Sequence, residues 1–298
     1  MLALASIVQL SFQNSDPWFK QWNVTDRYLA SDGVVTRMPI RLSSHETILY
    51  GAADLDEVLV DFEEEDWTPV TVGGKAAVQI WMNNFTDTDC GTEEKVNPYY
   101  ETWFSLPVTK KGAPLDLPYE SPASYAVADP RANVFVMRVI CGIHPNGDST
   151  QPMSAISGGR EVWGFPKHHK LANIRYDYDG VNATTFSATH LGKPVLSARV
   201  RLPEATPGHV VQKQEVHTEP DTAVTPRWSP KQTRYGEAFK ATLAVAPWDP
   251  ATDSLQVHGQ DEWYGKMLKR WRFAPTLKAH STDFKIVAFK PAGWLGPK

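Results

Sequence analysis

The chain has 298 residues, of which 42% are hydrophobic, and its formal net charge at pH 7 is −4. This acidic balance excludes the basic surface that nucleic-acid binding requires, and no apolar run reaches the ~20 residues of a membrane-spanning helix. Neither a repeat nor a linker divides the chain. We therefore expect one domain over residues 1–298, with no nucleic-acid partner and no membrane partner.

The two cysteines, Cys90 and Cys141, form neither a disulfide framework nor a metal-binding spacing. Residues 1–12 are apolar but lack the basic residues that open a secretory leader. Both observations are typical of a reducing compartment, and we expect a cytoplasmic protein.

The first half of the chain predicts one surface helix and several strands. Leu55, Val58, Leu59 and Phe62 follow helical spacing, so residues 54–67 are expected to form a helix whose acidic side chains face solvent. A metal site built from those acids is the alternative. Strands are expected at residues 34–42, 75–84 and 99–108, where β-branched and aromatic residues concentrate.

The second half predicts an antiparallel meander. Three strands, at residues 171–178, 184–190 and 194–202, are separated by glycine-containing turns. Further elements are strands at 133–142, 239–246 and 283–289, a helix at 262–272, and long loops at 109–131 and 204–230. Many short strands with few helices favour a mainly β (α+β) fold: a closed antiparallel β-barrel with peripheral helices.

Residues 158–170, which read Gly-Gly-Arg-Glu-Val-Trp-Gly-Phe-Pro-Lys-His-His-Lys, are the part of the chain that packing explains least. As a strand, this segment places Glu161, Trp163, Phe165 and Lys167 on one face. Lys167 would then lie beside two aromatic rings and away from bulk water. A lysine in such a site can lose its proton and attack a carbonyl group to form a Schiff base.

The protein must change the acidity of this lysine substantially. An ordinary lysine with a pKa of ~10.4 is neutral in about one molecule in 2,500 at pH 7, and lowering the pKa by ~4 units takes roughly 5.4 kcal/mol. Complete burial can supply ~3–5 units. We assign the shift to burial against Trp163 and Phe165, because strand alternation turns His168 away from Lys167. A solvated Lys167 is the alternative, and a metal pair of His168 and His169 lacks a third ligand.

The residues Gly159-Arg160-Glu161 and Trp163-Gly164-Phe165-Pro166-Lys167 resemble the segment of the acetoacetate decarboxylase family that bears the Schiff-base lysine. Tyr99-Tyr100-Glu101 is similar to the family's Tyr-x-Glu, and the order of elements agrees over residues 75–201. This family is itself a known example of a lysine activated by an apolar pocket or a neighbouring cation. The resemblance implies a single acetoacetate decarboxylase-like domain with a cone-like β-barrel, a homo-oligomer, and no metal or organic cofactor.

The resemblance also implies roles for individual residues. Lys167 falls on the imine-forming lysine and Glu101 on the active-site glutamate. Arg160 and Glu161 fall on a supporting pair, which agrees with the expectation from the residues alone that Glu161 makes a turn or a salt bridge.

The substrate-binding residues are expected to be aromatic and basic. Trp163, Phe165 and Trp103, which shares a strand face with Glu101, are predicted to form an apolar wall. The family has an arginine near its N-terminus that holds the substrate carboxylate, and Arg37 and Arg41 are both candidates for it.

The sequence departs from the family pattern in three places. His168 occupies the position of a second lysine, which leaves the pKa of Lys167 to burial. The loops at residues 109–131 and 144–151 are longer than in the family. The strand at 75–84 carries no acid where some relatives have a carboxylate. The last two differences bear on the substrate, because loops shape the pocket and a lost carboxylate alters its proton chemistry.

Three functions follow from these observations. The first is a cofactor-independent lyase that decarboxylates a β-keto acid through an imine on Lys167, with Glu101 relaying protons. The second uses the same imine for aldol condensation, dehydration or cyclisation of a keto acid in secondary metabolism. The third is a non-catalytic β-barrel that binds a small apolar molecule, with Lys167 and Glu101 neutralising each other.

Overall fold

The computed structural model describes residues 17–22, 26–33, 35–89, 98–117, 132–145, 150–179, 182–201, 211–216, 223–224, 234–235, 237–261 and 263–289. Cys90 and most residues of the predicted loops at 109–131 and 204–230 lie outside these ranges. None of the helices within the described ranges is long and apolar enough to cross a membrane.

Strands dominate the described part of the chain. They are β1 (Asp26–Leu29), β2 (Val35–Met38), β3 (Ile40–Ala53), β4 (Trp67–Pro69), β5 (Thr71–Val72), β6 (Lys75–Asp89), β7 (Tyr99–Lys110), β8 (Asp116–Leu117), β9 (Asn133–Ile143), β10 (Ala172–Tyr178), β11 (Ala183–His190), β12 (Lys193–Arg201), β13 (Val211–Val216), β14 (Ala223–Val224), β15 (Arg234–Tyr235), β16 (Glu237–Pro247), β17 (Ser254–Val257) and β18 (Ala274–Ala288). The helices are a 3-10 helix (Pro17–Gln21), α1 (Leu55–Asp61), α2 (Thr150–Val162) and α3 (Gly265–Arg270).

One large sheet contains sixteen of these strands, with the main path β13-β16-β18-β3-β6-β7-β9-β10-β11-β12-β17. Strands β1 and β2 form a separate two-stranded sheet. A mainly β fold with few helices is therefore confirmed. Within the described residues the strand path does not return to its start, so closure into a barrel stays a prediction.

The sheet is mixed, which corrects the expectation of a wholly antiparallel arrangement. Gly142 of β9 and Ala172 of β10 pair in parallel. The reason is that α2 lies between these strands in the chain and acts as a crossover, which reverses the relative direction that a hairpin would give. The meander itself is confirmed, because β10, β11 and β12 pair antiparallel in sequence order.

Both faces of the sheet carry apolar clusters. We call inner face the side that carries Ile48, Trp81, Trp103 and Phe284. The opposite side packs Leu49, Met82 and Phe104 against the meander and α3. The first three inner-face residues are directly opposed on β3, β6 and β7, so their side chains point the same way.

The predicted strand at residues 158–170 is wrong. Residues 158–162 belong to α2, and of the following residues Lys167 makes one isolated bridge, to Val139 of β9. Two adjacent glycines disfavour a helix in isolation. Here tertiary contacts override that preference, because their missing side chains make room for Thr36 and Lys167.

Two other elements differ in length from their predictions. The helix expected at residues 54–67 ends at Asp61, and Trp67 already begins β4. Asp54 caps this helix by accepting hydrogen bonds from the backbone of Asp56 and Glu57. The strand expected at 34–42 is divided into β2 and β3, and β3 continues far beyond it to Ala53.

Candidate active site

The backbone of Lys167 is fixed to strand β9 by hydrogen bonds on either side of the lysine. Val139 donates its N–H to Pro166 at 3.1 Å, and His168 donates to the Val139 carbonyl at 3.0 Å. The turn that leads from α2 to this bridge is made at Gly164, whose φ of 68° favours glycine. As a result the lysine side chain starts from a rigid position and is only 5% exposed.

The stem of Lys167 crosses α2 at Gly159. A Cβ atom at residue 159 would lie 2.8 Å from Lys167 Cε and 3.0 Å from Cδ, which is closer than side chains approach one another. At Gly158 a Cβ would lie 2.5 Å from Oγ1 of Thr36. The two glycines thus supply space and not only backbone freedom.

Arg160 and Glu161 support this arrangement without entering it. Nη1 of Arg160 donates to the carbonyl of Lys167 at 2.6 Å. Glu161 accepts hydrogen bonds from the Tyr28 hydroxyl at 2.8 Å and from the Ser31 backbone at 2.9 Å. These contacts fasten the hairpin of β1 and β2 to the end of α2.

The ammonium group of Lys167 contacts a buried carboxylate on β7. Nζ lies 2.6 Å from Oε2 of Glu101, and the two side chains are 6% and 9% exposed. The Cys141 thiol, on β9, donates to the same Oε2 at 3.1 Å. The sequence suggested that burial against aromatic rings is the main influence on the pKa of Lys167. The structure adds a neighbouring carboxylate, and such a group stabilises the charged form of a lysine.

A cavity lies above this pair and opens to solvent at its mouth. It encloses about 700 Å³, measured up to and including that mouth. Its walls are mainly apolar side chains from β3, β7, β9, β18 and α2, including Ile40, Leu42, Val136, Ala155 and Ile286. Glu101, Lys167 and the phenol of Tyr99 are the ionisable groups among the described lining residues.

Two of the three predicted aromatic wall residues line this cavity. The Phe165 ring centre lies 5.3 Å from Lys167 Nζ, and Trp103 lines the cavity while stacking on Trp81 at 4.6 Å. Trp163 is fully buried elsewhere, where its indole N–H donates to the Phe289 carbonyl at 2.7 Å. Its ring still stacks on that of Phe165 at 6.5 Å, but Phe165 lies between it and the cavity, so only Phe165 is a wall residue.

Arg37 and Arg41 do not line the cavity. Their strand neighbours Thr36, Ile40 and Leu42 do, and alternation turns the arginines to the opposite side. No arginine contributes to the cavity wall within the described residues. A role for either arginine in holding a carboxylate stays a prediction.

His168 points away from Lys167. Its Nδ1 lies 2.8 Å from Nε2 of His190 and accepts a hydrogen bond from the Lys170 backbone at 3.1 Å. Burial, reinforced by the nearby His190 and His169, lowers the pKa of His168 to about 4. Across the described residues, no group of three or more His, Cys, Asp or Glu side chains is arranged to hold a metal ion.

The sequence analysis missed Glu46 on β3. This residue is completely buried on the inner face, and the Ser44 hydroxyl donates a hydrogen bond to its Oε1. Strand alternation would have identified it, because Glu46 and Ile48 are two residues apart. The polar run Ser43-Ser44-His45-Glu46-Thr47 conceals the strand.

No protein-family model matches the chain, and no curated protein matches it in sequence. Solved structures do match it. The acetoacetate decarboxylase of Legionella pneumophila subsp. pneumophila str. Philadelphia 1 is 15% identical with a TM-score of 0.50, over 98% of this chain and 96% of that one. The enduracididine biosynthesis enzyme MppR in complex with pyruvate is 11% identical with a TM-score of 0.54, over 90% and 96% of the two chains.

A second structure of MppR, complexed with the condensation product of pyruvate and imidazole 4-carboxaldehyde, is 11% identical with a TM-score of 0.50, over 84% and 87% of the chains. The likeness in each case is one of fold. This chain therefore has the acetoacetate decarboxylase-like fold, as the residues around Lys167 predicted.

Proposed function

We propose that this protein is a cofactor-independent lyase that decarboxylates a β-keto acid through a Schiff base on Lys167. The observation that carries the proposal is the 2.6 Å contact between Lys167 and Glu101 in the wall of an apolar cavity. A contact this short permits direct proton transfer from the ammonium to the carboxylate. Two neutral groups require less solvation than two charges, so burial among apolar side chains favours the transferred state.

The neutral amine then attacks the substrate ketone. Attack forms a carbinolamine, and the protonated Glu101 returns its proton to the departing hydroxyl group. Water leaves and an iminium ion remains on Lys167. Glu101 is again a carboxylate beside this cation.

Loss of carbon dioxide removes charge from the cavity. The electron pair of the breaking C–C bond moves to the iminium nitrogen, so a carboxylate and an iminium become carbon dioxide and a neutral enamine. Apolar walls such as Ile40, Val136 and Phe165 solvate neutral species better than charged ones. Protonation of the enamine carbon and hydrolysis of the imine complete the cycle, which consumes one proton overall.

A condensation or dehydration of a keto acid is the second candidate. The same lysine, carboxylate and apolar walls would serve it, because it begins with the same iminium and enamine on Lys167. The same enamine would attack an aldehyde. MppR, which shares the fold, has been seen in complex with a condensation product of pyruvate.

Reductive trapping separates these functions. The protein is incubated with acetoacetate, pyruvate or another small keto acid, then reduced with borohydride and weighed intact. An adduct at Lys167 with carbon dioxide release is the expected result. An adduct without carbon dioxide favours the second candidate. No adduct with any keto acid favours a non-catalytic binder in which the ion pair persists.

Two lysine variants serve as controls. Lys167→Arg should abolish trapping while leaving the fold intact, because a guanidinium does not deprotonate near pH 7. Lys170→Arg makes the same change at an exposed position three residues away and should trap normally. Full turnover by Lys167→Arg would contradict the proposal.

A further inference from the structure

Four neighbouring strands place polar residues in one row on the inner face. Glu46 of β3 is directly opposed to Asn83 of β6, Asn83 to Glu101 of β7, and Glu101 to Cys141 of β9. Directly opposed residues of antiparallel strands project to the same side. Asn83 is thus the one residue of this row that lies between Glu46 and Glu101.

The two residues behind Glu101 hold buried polar atoms without partners. Glu46 and Asn83 are both 0% exposed. Within the described residues, Oε2 of Glu46 and both Oδ1 and Nδ2 of Asn83 make no hydrogen bond. Buried polar groups are nearly always paired, and an unpaired set beside a reactive site points to a role in the reaction.

Burial is the main influence that favours the neutral form of Glu46. Burial raises its pKa well above the usual range, the hydrogen bond from Ser44 opposes this, and the charge of Glu101 adds to it. The groups that face it on the inner side are Asn83 from β6, Ser281 from β18 and, beyond Asn83, Glu101 with Lys167. No cation lies between Glu46 and Glu101 in this row.

We propose that Glu46 stores the proton that decarboxylation consumes and passes it to Glu101. The inference rests on the proposed decarboxylation, whose net reaction takes up one proton in a cavity with little access to water. Glu46 gives up its proton and becomes a carboxylate, while Glu101 becomes the acid that protonates the enamine carbon. After the product leaves, solvent in the cavity protonates Glu101, which lines it, and the proton returns along the row to Glu46.

The row supplies a path for this transfer. Two strand spacings of ~4.8 Å separate Glu46 from Glu101 at the backbone, about 10 Å in total. Asn83, whose amide atoms make no hydrogen bond within the described residues, lies on the strand between them. The water molecule released when the imine forms beside Glu101 can carry the proton between the two carboxyl groups. Glu46 acts through Glu101 and is therefore a positioning residue, not one that touches substrate.

Infrared difference spectroscopy tests the stored proton directly. The spectrum of the wild type at neutral pH minus that of Glu46→Gln is expected to contain the carbonyl band of a protonated carboxylic acid, with a shift in heavy water. Gln has nearly the same volume as Glu and still accepts from Ser44, so the fold is expected to persist. Absence of the band overturns the inference, whether or not the protein decarboxylates anything.

Steady-state kinetics test whether the reaction uses the proton stored on Glu46. In Glu46→Gln, borohydride trapping at Lys167 and KM should stay near wild type, while kcat for carbon dioxide release falls by about tenfold or more. The remaining rate should rise as pH falls, because solvent acid then supplies the proton. Glu46→Asp, which keeps an acid, should recover part of the rate. Wild-type kcat in Glu46→Gln overturns the inference.

Two further variants complete the test. Asn83→Ala interrupts the row without changing either acid, and it should likewise leave borohydride trapping near wild type while kcat falls. This variant replaces Glu46→Gln in the test if Glu46→Gln fails to fold. Glu63→Gln is the matched control at an exposed position and should behave as wild type. A wild type that traps substrate but releases no carbon dioxide contradicts the proposed function, and the inference about Glu46 then falls with it.

Discussion

Lys167 and Glu101 are 66 residues apart in the chain, yet their charged atoms are 2.6 Å apart and nearly excluded from water. The two side chains come from different kinds of structure. Lys167 follows a helix and is held to β9, while Glu101 lies within β7. The contact therefore forms only when the tertiary structure brings these two elements together.

Removal of the carboxylate should make trapping depend on pH. In Glu101→Gln the lysine loses its internal proton acceptor, and the rate of adduct formation at pH 7 should fall by ~10²-fold. The rate should then rise about tenfold per pH unit until the amine is fully deprotonated, because only the free amine reacts. Borohydride trapping carried out at several values between pH 6 and pH 9 measures this rate of adduct formation. A wild-type rate at pH 7 in Glu101→Gln would contradict the role of Glu101.

Stability should respond to the pair as a unit. Lys167→Met leaves the Glu101 carboxylate buried without its partner, and the free energy of unfolding should fall by about 3–5 kcal/mol. The double variant Lys167→Met with Glu101→Gln should recover most of that loss, since no buried charge remains. Urea unfolding of the two single variants and the double variant provides the comparison. Simple addition of the two single effects would show that the groups are not coupled.

Residue 159 of α2, which the Lys167 side chain crosses, should not tolerate an added methyl group. Gly159→Ala would place a Cβ 2.8 Å from Lys167 Cε, so the amine must move. We expect a stability loss of ~1–3 kcal/mol and at least a tenfold loss of trapping. Gly158→Ala is the matched control for the lysine contact, because its Cβ would meet the Thr36 hydroxyl and not the lysine. Equal trapping by both variants would refute this explanation of the glycine.

A buried histidine should make the fold sensitive to acid. Burial, with a smaller effect of His45, lowers the pKa of His280 from 6.5 to about 4. The unfolded chain binds a proton near pH 6.5 that the folded chain refuses, so this contribution is present above pH 6.5 and is lost as pH falls towards 4.

The corresponding variant should reduce that sensitivity. In His280→Gln, the decrease in free energy of unfolding between pH 7 and pH 5 should be about 1–2 kcal/mol smaller than in the wild type. His169→Gln changes an exposed histidine and serves as the comparison. If the free energy of unfolding of His280→Gln fell as much as that of the wild type, the acid sensitivity could not be assigned to His280.

The reactive pair could be predicted from the sequence because its motif is local. Pro166-Lys167 and Tyr99-Tyr100-Glu101 are short and chemically distinctive, and the strand around Glu101 has clear β propensity. The surroundings of Lys167 could not be predicted in this way. Residues 150–162 include Pro152, Gly158 and Gly159, which local propensity assigns away from a helix, and the helix exists because Ala155, Ile156 and Val162 are buried.

The buried acid on β3 was missed for a related reason. Alternation identifies a strand when one face is apolar and the other polar. The inner face of β3 breaks that rule at Ser44 and Glu46, which are both buried. Sites of chemistry are where a fold departs from such patterns, so pattern reasoning is weakest there.

The hairpin of β1 and β2 has a consequence for substrate choice. It is a sheet of its own, attached through Glu161 and contributing Thr36 to the cavity wall. One side of the cavity is therefore formed by this separate hairpin, while Lys167 and Glu101 lie on other elements. Exchanging this hairpin between related proteins would therefore alter the cavity wall, and with it substrate selection, without moving Lys167 or Glu101.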